Sequence, residues 1–101
     1  MLRKAAYHTR RIRLQKGSKL TLEKVQKVYE KNILKFGELT CNLCFKPIAF
    51  GEDSLEHFIP VSRVEEFPGI DLNDLNNLGV AHKKCNSSKR DLTLKEWFLN
   101  V

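Results

Sequence analysis

The chain has 101 residues, 42% hydrophobic and 30% charged, which fits one globular domain and argues against intrinsic disorder. Its 18 Lys and Arg stand against 12 Asp and Glu, giving a net charge of +6 and a pI near 9.4, the balance of a domain drawn to polyanions such as nucleic acid. Three cysteines with a C-x2-C spacing argue for metal thiolates over a disulfide framework, hence for a reducing, cytoplasmic setting; no apolar run approaches the ~20 residues needed to cross a bilayer, so no membrane is expected.

Residues 1–19 hold seven Lys or Arg and no acid. They read as a solvated basic arm, with Arg10, Arg11 and Arg13 as candidate phosphate contacts; a tail that only aids solubility has the same composition. The opening MLRKAAYHTRRIRL lacks the apolar stretch of a secretory signal, and its Arg-rich, acid-free character is shared by mitochondrial transit peptides and DNA-contacting arms. Residues 21–36 are predicted to form an amphipathic helix. Leu22, Val25, Val28, Tyr29, Ile33 and Phe36 recur at three- and four-residue spacing and form one apolar stripe, read as core. Thr21 is the expected N-cap, Leu20 and Val25 the staple around it, and Gly37 the C-terminal stop. Lys24, Lys27, Lys31 and Lys35 fall largely on the outer face.

Residues 39–50 read as a hairpin carrying Cys41 and Cys44, followed by a turn at Gly51-Glu52-Asp53. Leu55 to Val61 is a short β-rich stretch, and residues 64–76 are a long polar loop of a length often tied to function. A helix is expected from about His82 to Arg90. Thr93-Leu94-Lys95-Glu96 has the form of a capping box and opens a last short helix in which Trp97 is a core anchor.

Cys41 and Cys44 form one pair, and His82 and Cys85 form an H-x2-C pair after a gap of 37 residues. Thiolate and imidazole are the ligands zinc prefers, and four protein ligands close a tetrahedral shell, which makes the site structural. Folding should then depend on the metal. Between the pairs lies a second polar set. His57 has the intrinsic pKa of a general base, and Glu56 and Asn86 offer the oxygen ligands that Mg²⁺ prefers. Phosphodiester hydrolysis needs a base for water and a hard cation for phosphoryl charge. On a regular strand Glu56 and His57 face opposite sides, so both serve one site only where the strand starts or bends. Taken singly, a half-buried core histidine, a surface glutamate and a helix-surface asparagine are the plainer readings.

The text C-N-L-C, then S-L-E-H-F-I-P-V-S-R, then L-N-N-L-G-V-A-H-K-K-C-N-S-S-K, spanning Cys41 to Lys89, resembles the HNH endonucleases of the ββα-metal (His-Me finger) superfamily. The resemblance implies an α+β fold with a ββα-metal core on a structural zinc, residues 20–101 forming a single nuclease domain behind the basic arm. It implies that His57 is the general base, that Asn77 fixes the loop and so orients His57, and that Glu56 and Asn86 ligate a catalytic Mg²⁺ or Mn²⁺, an H-N-N variant. Arg63 and Lys89 are candidate phosphate holders. His82 stands where many zinc-bearing members have cysteine, and Val64-Glu65-Glu66 replaces the glycines common after the Ser-Arg step. The implied partner is DNA and the implied activity metal-dependent endonuclease cleavage, leaving 5′ phosphate and 3′ hydroxyl. One active site per domain implies nicking by a monomer, or double-strand cleavage by a dimer. The alternative is a zinc-stabilised nucleic-acid-binding module without catalysis.

Overall fold

The computed structural model describes residues 18–99; Arg10, Arg11 and Arg13 lie outside the described residues. Helix α1 (Leu22–Phe36) begins where the sequence places it. The Thr21 hydroxyl accepts from the Lys24 backbone N–H at 3.1 Å, satisfying one of the donors left over in the first turn. It ends at Gly37, whose φ of 85° is the left-handed cap that glycine adopts at little cost. The apolar stripe is core only at its centre. Val28 is buried, whereas Leu22 is 76% and Ile33 45% exposed. The second buried residue of α1 is polar: the Asn32 carboxamide takes the Thr40 N–H (2.8 Å) and donates to the Thr40 carbonyl (2.7 Å), tying the helix to the segment that carries the first cysteines.

That segment is a knuckle turn with a single bridge between Thr40 and Pro47 in place of a hairpin ladder. Phe45 takes a φ of 61°, a left-handed value that costs a bulky residue roughly 1–2 kcal/mol, and its ring stacks on Phe98 with centroids 5.8 Å apart. The expected β-rich stretch sits earlier than the sequence suggested. Strand β1 (Asp53–His57) stops at His57 because the chain bends at Phe58 and Ile59, and Pro60 has no N–H for a ladder. Its antiparallel partner, β2 (Leu78–His82), was not foreseen; the register runs from Asp53 opposite His82 to His57 opposite Leu78. Asn42 extends this two-stranded sheet from outside, its N–H donating to the Val80 carbonyl and its Oδ1 accepting from the Val80 N–H. A Cβ on Gly79 would meet the Phe58 ring at 2.6 Å and Asn42 Oδ1 at 2.7 Å, so glycine is what lets these groups close on the strand.

The loop between the strands is not without structure. Short 3-10 turns occupy Val61–Glu66 and Leu75–Asn77, the second capped by Asp74. Helix α2 (Lys83–Lys89) follows β2 directly, with His82 as its N-cap residue. Helix α3 (Leu94–Leu99) opens on a reciprocal capping box: Glu96 N–H donates to Thr93 Oγ1 and Thr93 N–H to Glu96 Oε1. Strand alternation packs Leu55, Leu78 and Val80 with Val28 of α1. Cys41, Leu43 and Ala81 form a second cluster with Trp97, whose indole N–H donates to the Leu43 carbonyl. The result is a small α+β fold; among the described residues no helix is long and apolar enough to cross a membrane.

Candidate metal centre and polar site

The knuckle turn presents Cys41 and Cys44, and the β2–α2 junction presents His82 and Cys85. Their ligand atoms all lie within 4.8 Å of one another. Zinc bonds of ~2.0–2.3 Å place tetrahedral ligands roughly 3.3–3.8 Å apart, so the group closes on an ion by small side-chain rotations. Its chemistry is already biased toward metal. His82 Nε2 lies 3.1 Å from the Pro47 carbonyl, which requires the proton on Nε2 and leaves the Nδ1 lone pair facing Cys44 (3.4 Å) and Cys85 (3.8 Å). Burial pushes the Cys41 thiol up, but N–H groups donating to its sulfur, led by that of His82, outweigh burial and hold it at about 7. Burial and the neighbouring sulfurs push Cys85 up to about 12. A dication removes that repulsion. The Cys3His group can therefore hold a structural metal such as zinc, and it leaves no open position for water.

The second polar set divides between two environments. His57 closes β1, and its Nε2 lies 2.9 Å from Oδ1 of Asn73. Asn73 is buried, and its backbone N–H donates to Asp71 Oδ1, whose other oxygen accepts from the Ser18 hydroxyl. Burial raises the Asp71 carboxyl, but the Ser18 and Asn73 donors prevail and hold it below its ordinary value. Asn77 braces this loop against the segment after His57: Oδ1 accepts from Ile59 N–H (2.8 Å), Nδ2 donates to the carbonyls of Leu72 (2.8 Å) and Ile59 (3.1 Å), and its own carbonyl accepts from Phe58 N–H. Asn73 carries no signal in the sequence that sets it apart from the other carboxamides and carboxylates of Asp71-Leu72-Asn73-Asp74-Leu75-Asn76-Asn77.

Glu56 points the other way, into the seam between β1 and α2. It is 1% exposed and paired with Lys89, also 1% exposed, at 3.0 Å; Lys89 also donates to the His57 carbonyl. The second carboxylate oxygen, Oε2, is buried without a hydrogen-bond partner. Burial raises the Glu56 carboxyl above its ordinary value despite the opposing pull of Lys89. Asn86 lies one turn before Lys89 on the same seam, its Nδ2 donating to Ser54 Oγ and the Leu55 carbonyl. The structure thus brings Glu56 and Asn86 together at one interface and turns the His57 imidazole toward Asn73, with the β1 end and the bend after it between them.

The placement of Lys89 corrects its reading as a phosphate holder, since a buried ammonium with two acceptors has no surface to offer. Arg63 is also engaged, bonded to both oxygens of Glu66 and to Glu96, and spans the first 3-10 turn and α3. Comparison of the chain with protein-family models, with curated proteins and with solved structures returns no match.

Proposed function

We propose that this chain is a metal-dependent DNA endonuclease of the HNH, ββα-metal type. The observation that carries the reading is the pairing, on the last two residues of β1 and facing opposite sides of it, of a histidine held through Nε2 by a buried carboxamide and a buried glutamate with an unpartnered oxygen. An acceptor on Nε2 puts the histidine lone pair on Nδ1, the nitrogen that would take a proton from water attacking the scissile phosphorus. Asn73 and Asn77 hold the imidazole and its loop. Glu56 Oε2 and the Asn86 side-chain oxygen are the hard donors that would hold Mg²⁺ or Mn²⁺, a cation that neutralises charge at the phosphate and the departing 3′ oxygen. The Cys3His group, loaded with zinc, fixes the knuckle and α2 around these residues.

A second reading, a zinc-stabilised nucleic-acid-binding module, is favoured by one observation: Lys89 already neutralises Glu56. Supercoiled plasmid separates the two. The nuclease reading expects conversion to open-circle or linear DNA only with added Mg²⁺ or Mn²⁺. A mobility shift without conversion in either metal would leave the binding module standing.

A further inference from the structure

We propose that the flank of α1 bearing Lys24, Lys27, Lys31 and Lys35 is a docking surface for the phosphate backbone of DNA. It rests on the nucleic-acid part of the reading above and not on its chemistry. At 100° per residue the four lysines fall within an arc of about 80°, and 11 residues of helix spread them over roughly 16 Å. The acids of α1, Glu23 and Glu30, lie outside that arc. Among the described residues, Lys24 and Lys31 have no ion pair, Lys35 lies over the Phe36 ring at 5.2 Å, and Lys27 meets Glu23 at 3.6 Å in an exposed pair of the kind that contributes little.

The ridge borders a groove. Lys24, Lys27 and Lys31 edge an open concavity of about 430 Å³ whose far wall is Asp71, Asp74, Leu75 and Asn76. Lys31 and Lys35 edge the adjoining concavity, which shares Asn76 and reaches Asn42. The two carboxylates on the far wall are already engaged: Asp71 accepts from Ser18 and Asn73 and attracts Lys24 across the groove, and Asp74 accepts from Asn76 N–H. Flexible ammonium groups in a line along a shallow open groove suit a repeating anion held without base readout. The far wall belongs to the loop that also carries Asn73, the residue that holds His57.

The test is fluorescence anisotropy of a labelled duplex with the full chain, zinc-loaded and without Mg²⁺ or Mn²⁺, across a salt series. Three variants are compared: K24Q/K27Q/K31Q/K35Q, the charge-keeping K24R/K27R/K31R/K35R, and K46Q/K83Q/K84Q/K95Q, which removes the same charge elsewhere. Each phosphate contact contributes about 0.9 to the slope of log K against log salt. The ridge Gln variant should lose about 3.6 units of slope, the Arg variant almost none, and the distant set less than about one. Equal losses in the two Gln sets would reduce the effect to net charge and overturn the proposal; so would no loss in the ridge set, or a polyglutamate that competes as well as DNA at equal charge. Zinc content and circular dichroism confirm that each variant is folded. Plasmid cleavage by the unmodified chain is scored separately, so failure of the ridge leaves the nuclease reading intact, and the reverse.

Discussion

An imidazole whose Nε2 donates to a carboxamide oxygen has its proton position fixed before any substrate arrives, and in this chain that oxygen belongs to Asn73 (2.9 Å). Truncating it in Asn73→Ala removes the acceptor that fixes the Nε2 proton. The expected result is a loss of about 10- to 100-fold in plasmid cleavage, the scale of a misplaced reacting group, with zinc content unchanged. Rates equal to the parent would remove Asn73 from the site. The resemblance to HNH endonucleases singled out Asn77 for this loop, and its carboxamide does join Leu72 to Ile59. Asn73 was not legible, because five of the seven residues from Asp71 to Asn77 are Asp or Asn and only the folded loop shows which one reaches the ring.

Between elements, the contact with most at stake is the Glu56–Lys89 pair that joins β1 to α2. Removing one partner of a buried pair leaves the other charged and unsolvated. Lys89→Met should therefore destabilise the zinc-loaded chain by about 3–5 kcal/mol, whereas Glu56→Leu with Lys89→Met together should recover most of the loss. Denaturant unfolding of the two variants measures this, and a single variant within ~0.5 kcal/mol of the parent would contradict the account, since that is the scale of an ordinary surface change. Elements governed by local chemistry were legible: Thr21 and Gly37 bound α1, and the Thr93–Glu96 box opens α3. Strand β2 was missed because Leu78–His82 is five residues long, too short for a periodicity, and contains a glycine. Lys89 was read as a surface cation because its burial depends on a partner 33 residues away; that Asn86 and Lys89, three apart, share a helix face was the available clue.

For the whole molecule, a zinc held by the Cys3His group would carry much of the stability. The two buried clusters are small, and a chain of this size has a net stability of about 5–15 kcal/mol, while a structural zinc contributes an apparent ~10–16 kcal/mol. Chelation should unfold the chain, seen as loss of helical circular dichroism that returns with one equivalent of zinc; an unchanged spectrum after metal removal would refute the staple. The pH dependence has a definite sign. Without metal, Cys85 sits at about 12 and holds its proton at neutral pH, so binding must release it. Zinc affinity should therefore rise at least about tenfold per unit between pH 7 and 8 and fall as the solution is acidified, a trend that competition against a chromophoric chelator resolves. The molecule's charge and its polar site meet in one claim, that His57 serves as a base. The most direct test is the rate of supercoiled plasmid conversion in Mg²⁺ or Mn²⁺ by the parent and by His57→Ala, with zinc content matched. The account predicts a loss of about 10²–10⁴-fold in the variant with DNA binding retained. Equal rates, or no metal-dependent conversion by the parent, would contradict it.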